Sequence, residues 1–204
     1  VESVDARVES HRVSAWGNPA EPVDYPGCPE LGLHIIASLL EQKVDVSHSR
    51  YQREGQSIDQ AFSFIFKRIQ NEKPIPTVPF IQNTYYPPIQ PPPGRSYEYG
   101  RALRNAIDSW DKDLRVAVIA SGGISSYVVD EELDHMFLDA MQNHDAQAIA
   151  DLPVQRMNAG TSEMRNWLVA AGVFEDTPMH LIDYVPCYRS PAGTGCSMAF
   201  ATWQ

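Results

Sequence analysis

Glu163 is a carboxylate for which two roles can be weighed from the sequence, a place at the start of a helix and the binding of a metal ion. It lies in AGTSEMRNWL, residues 159–168, at the start of a run with helical periodicity. A helix dipole favours a carboxylate in the first turn, which already explains a glutamate at this place. A metal-binding role needs partners as well, because the common mononuclear iron site combines two histidines with one carboxylate.

A second segment, SGGISSYVVDEELD at residues 121–134, follows the apolar run Arg115–Ala120. Gly122 and Gly123 let the backbone turn tightly and approach a ligand. The turn also lies at the carboxyl end of a predicted strand, where α/β folds often place sites. A structural alternative stays open, in which this is a strand-to-loop turn whose serines cap a helix or hydrogen-bond locally.

A third segment, DYVPCYRSPAGTGCSMAF at residues 183–200, is rich in proline, glycine and tyrosine and predicts a long ordered loop between two strands. Tyr184, Tyr188 and Arg189 could line a pocket for an anionic aromatic ligand, since arginine pairs with carboxylates. A rigid surface loop with packed tyrosines explains the same composition.

Periodicity predicts helices alternating with short strands. Residues 53–66, REGQSIDQAFSFIF, lead into one of the helices. The strand at 115–120 is expected to be buried because β-branched residues dominate it, whereas prolines place 75–81 near a sheet edge. This alternation predicts one α/β layered domain over residues 1–204, with a central, mostly buried sheet flanked by helices. The helices are predicted over 30–43, 58–69, 97–110, 130–141, 146–151 and 162–171, and the strands over 44–46, 75–81, 115–120, 179–184 and 197–203.

Charge and composition exclude several classes of partner. The formal net charge of -10 repels phosphate backbones, so no nucleic acid is expected. No apolar run approaches the length of a membrane helix, and no membrane association is expected. Cys28, Cys187 and Cys196 form no CxxC pair, which fits neither a disulfide framework nor a zinc site and predicts a reducing cytoplasm.

Together the segments 53–66, 121–134, 159–168 and 183–200, in this order along the chain, resemble the class III extradiol ring-cleavage dioxygenases related to the catalytic subunit of protocatechuate 4,5-dioxygenase. The resemblance runs from about Pro29 to Trp203 and includes the spacing between the segments. It implies an α/β fold and an iron(II) ion held by two histidines and a glutamate. It also implies a catechol-type aromatic substrate and O2, with two further histidines as acid and base.

Carried over residue by residue, the resemblance places Glu163 at the iron-binding carboxylate. Ser126 stands where the family's SGGLSH pattern has an acid/base histidine, and Gln60 stands where the family tends to have a second one. Neither side chain titrates near neutral pH. Gly122, Gly123, Tyr184, Tyr188 and Arg189 are the predicted substrate-binding residues.

The resemblance places the two iron-binding histidines in N-terminal strands that precede anything aligned here, so both are expected to be missing from this chain. The chain begins at Val1 and not at methionine, which agrees with a missing N-terminal segment. Of the histidines present, His48 comes nearest to a substitute ligand, because it follows the predicted strand at 44–46.

Three functional interpretations stay open. The first is a ring-cleavage dioxygenase, and the second is a non-catalytic partner subunit of a heteromeric dioxygenase, which the replacements at Gln60 and Ser126 favour. The third, a serine hydrolase, is disfavoured because GGISSY is not the G-x-S-x-G elbow. A homo- or hetero-oligomer is expected, because a fold without its first strands exposes apolar edges.

Overall fold

The computed structural model describes residues 6–7, 24–49, 60–70 and 75–204. These residues belong to two compact units, Val1–Ile81 and Gln82–Gln204. Helices and strands mix in the chain, which confirms the predicted α/β class. The prediction of one domain over 1–204 stays a prediction.

The described residues of the first unit form two short strands and two helices. β1 (Ala6–Arg7) pairs antiparallel with β2 (Asp24–Tyr25), and the helices are α1 (Pro29–Glu41) and α2 (Gln60–Arg68). Tyr25 stacks on Phe66 of α2 with ring centroids 4.1 Å apart. This stack joins β2 to α2 through a buried aromatic contact.

Two strands predicted in this unit do not form. Residues 44–46 are not in a strand, and the stretch 75–81 contributes one parallel bridge, from Thr77 to Gly27. Proline at 76 and 79 removes two backbone donors from the second stretch, which limits its pairing.

Four helices belong to the second unit: α3 (Pro93–Asp108), α4 (Glu131–Gln142), α5 (Ala146–Ala150) and α6 (Met164–Val173). α3 begins inside the proline-rich stretch, four residues before the predicted start, because Pro93 occupies its first turn. α3 and α6 pack with their backbones close together at Gly100 and Gly172, where a Cβ would overlap backbone atoms of the other helix.

The sheet of this unit is antiparallel and has the order β3-β5-β4. β3 is Ser126–Val128, β4 is Met179–Tyr188 and β5 is Thr194–Trp203. β4 and β5 form a hairpin that replaces most of the long loop predicted over 183–200. Side-chain burial alternates along β5, as in a strand with one face on the core: Ser197 and Ala199 are buried, whereas Met198 and Phe200 are exposed.

The strand predicted at Arg115–Ala120 is wrong. Residues 113–123 are in no strand, and Ile119 is 46% exposed. Val116, Val118 and Ala120 are half-buried in alternation, so the stretch keeps the period of a strand. Among the described residues it has no neighbouring strand to complete its backbone hydrogen bonds, and without one β-branched residues do not make a strand.

The core of the second unit lies between its helices and the inner face of the sheet. Leu133, Phe137, Leu168 and Met164 are wholly buried there. In the part of the chain that the structure describes, no helix is long and apolar enough to cross a membrane.

Candidate functional site

Glu163 stands at the junction between a 3-10 turn (Ala159–Glu163) and α6. Its side chain is exposed, and Oε2 accepts a hydrogen bond from the backbone N–H of Gly123 at 3.1 Å. One carboxylate oxygen is therefore tethered to the glycine turn of SGGISS. The carboxylate lies at the surface beside that turn, where a metal ion or a ligand could reach it.

Two further side chains of α6 hold the same turn. Asn166 donates from Nδ2 to the carbonyl of Ser121 at 3.0 Å, and Trp167 donates from Nε1 to the carbonyl of Gly122 at 3.0 Å. With Glu163, the start of α6 thus binds three consecutive backbone positions. The turn is fixed by its hydrogen bonds to α6.

Gly122 must be glycine for two reasons. Its φ of +147° lies in a region that L side chains rarely adopt. A Cβ on Gly122 would also lie 2.8 Å from Cβ of Glu163, well inside van der Waals contact. The close approach of the turn to Glu163 therefore depends on the missing side chain.

Ser126 begins β3 and is half-buried. Its backbone N–H donates to Oγ1 of Thr161 at 3.0 Å, and a Cβ on Gly160 would lie 2.8 Å from Ser126 Oγ. β3 is in this way tied to the 3-10 turn that ends at Glu163. The structure thus brings Ser126, the glycine turn and Glu163 into one part of the second unit.

A buried polar network supports β3 from the core side. The carboxylate of Asp134, on α4, accepts from the N–H of Ser125 at 3.0 Å, from its hydroxyl at 2.8 Å and from the Tyr184 hydroxyl at 2.7 Å. Ser125 Oγ also lies 3.1 Å from Ser197 Oγ on β5. Asp134, Ser125 and Ser197 are all buried, so the network joins α4 to the sheet in a place without water access.

Sequence reasoning missed Asp134 as a member of the site's support. A signal was available, because Asp134 occupies the same helical stripe as Leu138 and Met141, both of which are buried. A carboxylate in an apolar stripe indicates a buried hydrogen-bonding partner.

Tyr184, a predicted substrate-binding residue, uses its hydroxyl in this network. Burial and the neighbouring Asp134 carboxylate raise the pKa of Tyr184 above its ordinary value, so the phenol stays protonated and donates. Its ring lies 5.1 Å from that of His135. Tyr184 is thus a core-side member of the sheet.

Tyr188 and Arg189 line an open depression of about 420 Å³ at the β4–β5 turn, together with Ser190, Pro191 and Gly193. The Tyr188 hydroxyl donates to Glu131 of α4, and that hydrogen bond raises the pKa of Tyr188. Two of the predicted substrate-binding residues therefore share a surface depression, and Tyr184 does not line it.

Arg165, two residues after Glu163, is wholly buried. Its Nε donates to the carbonyl of Pro91 at 2.8 Å and its Nη1 to the carbonyl of Met157 at 2.7 Å. Burial lowers the pKa of Arg165. Because its hydrogen bonds reach loops on both sides, Arg165 anchors the start of α6 and thereby Glu163.

The predicted acid/base positions do not fall in one unit. α2 begins at Gln60 in the first unit, whereas Ser126 and Glu163 are in the second. His48 is exposed and also belongs to the first unit. Within 6–7, 24–49, 60–70 and 75–204, no group of three His, Cys, Asp or Glu side chains could hold a metal ion.

The donors that the structure describes therefore do not fit a mononuclear iron site. Glu163 supplies one carboxylate, whereas such a site requires two histidines in addition. The roles predicted for Glu163, Gln60, Ser126 and the substrate-binding residues stay predictions.

Comparison with known proteins gives the chain its family. Residues 9–196 match the model described as the catalytic LigB subunit of aromatic ring-opening dioxygenase. A gallate dioxygenase of Pseudomonas putida is 30% identical over 170 residues, which cover 76% of this chain and 48% of that protein. The chain spans about half the length of this relative. The match confirms the resemblance seen in the sequence: the chain belongs to the LigB family of aromatic ring-opening dioxygenase catalytic subunits.

Proposed function

We propose that this chain serves an extradiol ring-cleavage dioxygenase that opens a catechol-type aromatic ring with O2, and that Glu163 is the carboxylate ligand of its iron(II). The observation that supports this most directly is the exposed Glu163 carboxylate, which the Gly123 N–H holds beside the glycine turn. In such enzymes the metal supplies the binding of substrate and dioxygen.

The chain's own residues support the carboxylate in two ways. The hydrogen bond from Gly123 takes one lone pair of Oε2 and orients the group, as an outer partner does for a metal ligand. Arg165 and Trp167 fix the start of α6 from inside the unit, so the carboxylate is attached to a rigid element. Under this proposal the remaining ligands of the iron come from outside the described residues or from another chain.

The substrate we propose is an anionic aromatic with adjacent hydroxyl groups. Support comes from Arg189, whose guanidinium can pair with a carboxylate at the depression that Tyr188 also lines. Gallate, an aromatic acid with three hydroxyls, is the first compound to test because the relative is named for it. Protocatechuate and plain catechol separate the contributions of the third hydroxyl and of the carboxylate.

The test measures bound iron and oxygen uptake by the reduced, anaerobically iron-loaded 204-residue chain with each of the three compounds. Glu163→Gln is expected to lower iron binding, and Glu41→Gln, an exposed glutamate at the end of α1, is the matched control. Stoichiometric iron binding by wild type that is unchanged in Glu163→Gln would remove Glu163 from the proposed site.

A second candidate is a non-catalytic subunit that pairs with a catalytic chain. Ser126 favours it, because a serine at the acid/base position cannot exchange a proton near neutral pH. This candidate predicts no stoichiometric iron and no substrate-dependent oxygen uptake by the chain alone. Stoichiometric iron with substrate-dependent uptake would refute it.

A further inference from the structure

Three sulfur-bearing side chains share the outer face of the β4–β5 hairpin. Cys187 of β4 stands directly opposite Cys196 of β5, and Met198 lies two residues further along β5 on the same face. Side chains directly opposite in an antiparallel pair have Cβ atoms roughly 4.5–5.5 Å apart. All three side chains are therefore within reach of one common point above the sheet.

The spacing of two of these sulfurs matches a metal site. Sγ of Cys196 and Sδ of Met198 are 4.0 Å apart. Metal–sulfur bonds of about 2.3 Å, the length found for thiolates on zinc, give a planar three-sulfur site an edge of about 4.0 Å. The edge formed by Cys196 and Met198 is thus already present, and Cys187 stands directly opposite Cys196 in the hairpin register.

Both thiols are free to bind. Cys187 and Cys196 form no disulfide, and Cys187 is exposed. Their hydrogen bonds are long and weak: Cys187 donates to the carbonyl of Val185 at 3.5 Å, and Cys196 donates to the carbonyl of Ser197 at 3.7 Å and to Met198 Sδ at 4.0 Å. A metal ion displaces these contacts at little cost.

We propose that Cys187, Cys196 and Met198 form a surface site for a soft monovalent cation, Cu(I). Thiolate and thioether ligands together select Cu(I) over hard divalent ions. Binding converts both thiols to thiolates and releases two protons to the solvent. The metal undergoes no change in oxidation state.

Zinc fits the site less well than Cu(I). Structural zinc takes four ligands in a tetrahedron, cysteine thiolates, histidine nitrogens or carboxylate oxygens, and a thioether is not among them. No third His, Cys, Asp or Glu joins the two cysteines in the portion of the chain that the structure covers. A three-sulfur site therefore favours the ion that accepts trigonal coordination.

The sulfur site borders the glycine turn. A Cβ on Gly123 would lie 2.9 Å from Cys196 Sγ, and Gly123 is the residue that donates to Glu163. Copper at Cys196 is thus expected near the turn without involving Glu163. The proposed Cu(I) site does not depend on the proposed iron. Its ligand atoms are sulfurs, whereas Glu163 would bind iron through a carboxylate oxygen.

The experiment titrates the reduced full chain with Cu(I) under anaerobic conditions, in competition with the chromophoric chelator bicinchoninate. We expect one Cu(I) per chain that withstands the chelator, and an X-ray absorption spectrum of sulfur-only coordination. Cys187→Ser and Cys196→Ser are expected to abolish this binding. Met198→Leu is expected to weaken it by about tenfold or more, as substitutions at metal sites do.

Three controls separate this site from other sulfurs and from Glu163. Cys28→Ser removes the third free cysteine, and Met136→Leu replaces an exposed methionine of α4. Both should retain full Cu(I) binding, and so should Glu163→Gln. Retention of Cu(I) by Cys187→Ser, equal loss in Cys28→Ser, or displacement of Cu(I) by equimolar Zn²⁺ would overturn the proposal.

Folding of each variant is checked by circular dichroism. If Cys196→Ser fails to fold because Cys196 contacts the glycine turn, the exposed Cys187→Ser and Met198→Leu carry the test. Neither position packs in the core of the unit.

Discussion

Replacing Gly122 by alanine tests the close approach between the glycine turn and Glu163. At a φ of +147° an alanine is strained by about 1–3 kcal/mol. Its Cβ also meets Glu163 Cβ at 2.8 Å, and relieving an overlap of this kind costs about 1–3 kcal/mol more. Alanine also restricts the unfolded chain, which offsets about 0.4–1 kcal/mol. The net expectation is a loss of about 1–5.5 kcal/mol of unfolding free energy.

Gly193→Ala is the matched control for the strain alone. Gly193 also has a positive φ, +80°, but nothing lies within 4 Å of its ideal Cβ. We expect Gly193→Ala to lower the unfolding free energy by about 1 kcal/mol, the usual cost of placing a non-glycine residue in a left-handed conformation. Urea unfolding followed by circular dichroism measures both variants. The difference between them contains the contact with Glu163 together with the difference in backbone strain between the two φ values.

A double-mutant cycle completes the test. Glu163→Gly removes the Cβ that Gly122→Ala meets, so the double variant should recover about 1 kcal/mol or more relative to the sum of the single changes. If Gly122→Ala costs no more than Gly193→Ala, or if the cycle shows no coupling, the turn does not rest against Glu163 as described.

The remaining predictions concern the network, the pH dependence and the acid/base positions. Asp134→Ala leaves three buried donors without their acceptor and should cost about 3–4 kcal/mol in urea unfolding, whereas the exposed Asp139→Ala should cost under about 0.5 kcal/mol. The Arg156 guanidinium lowers the pKa of Asp130 below its ordinary 3.8, so Asp130 stabilises the fold above that pH and this contribution is lost as the pH falls through its lowered value. Arg156→Gln should therefore flatten the acid limb of a stability–pH curve, and an unchanged limb contradicts the pairing. In a protein that also supplies two iron-binding histidines, Ser126→His with Gln60→His should raise gallate-dependent oxygen uptake; no gain means that the protein has diverged beyond these two positions.

Local sequence signals predicted the helices well because a helix completes its hydrogen bonds within itself. α4 begins where Asp130 suggests, and the structure shows why: Asp130 accepts a hydrogen bond from the N–H of Leu133 and caps the helix. The family was also readable from the sequence, because its motifs are short and ordered along the chain.

Strands were predicted less well because a strand needs a partner that may be far away in sequence. The run at 115–120 has the right residues and the right alternation, yet it forms no strand because no described neighbour pairs with it. The hairpin of β4 and β5 is longer than predicted. Each strand supplies the other's hydrogen bonds, and the pairing continues through Pro186 of β4 and Gly195 of β5.

By itself the sequence determined the α/β class, the family and the identity of Glu163 as the candidate ligand, since these depend on residue types and their order. Tertiary structure alone decided what Glu163 contacts, namely the N–H of a glycine 40 positions away. It also placed Asp134 beneath Ser125 and set Cys187 opposite Cys196. These contacts join distant parts of the chain, and they follow from sheet register and helix packing, which no local pattern specifies.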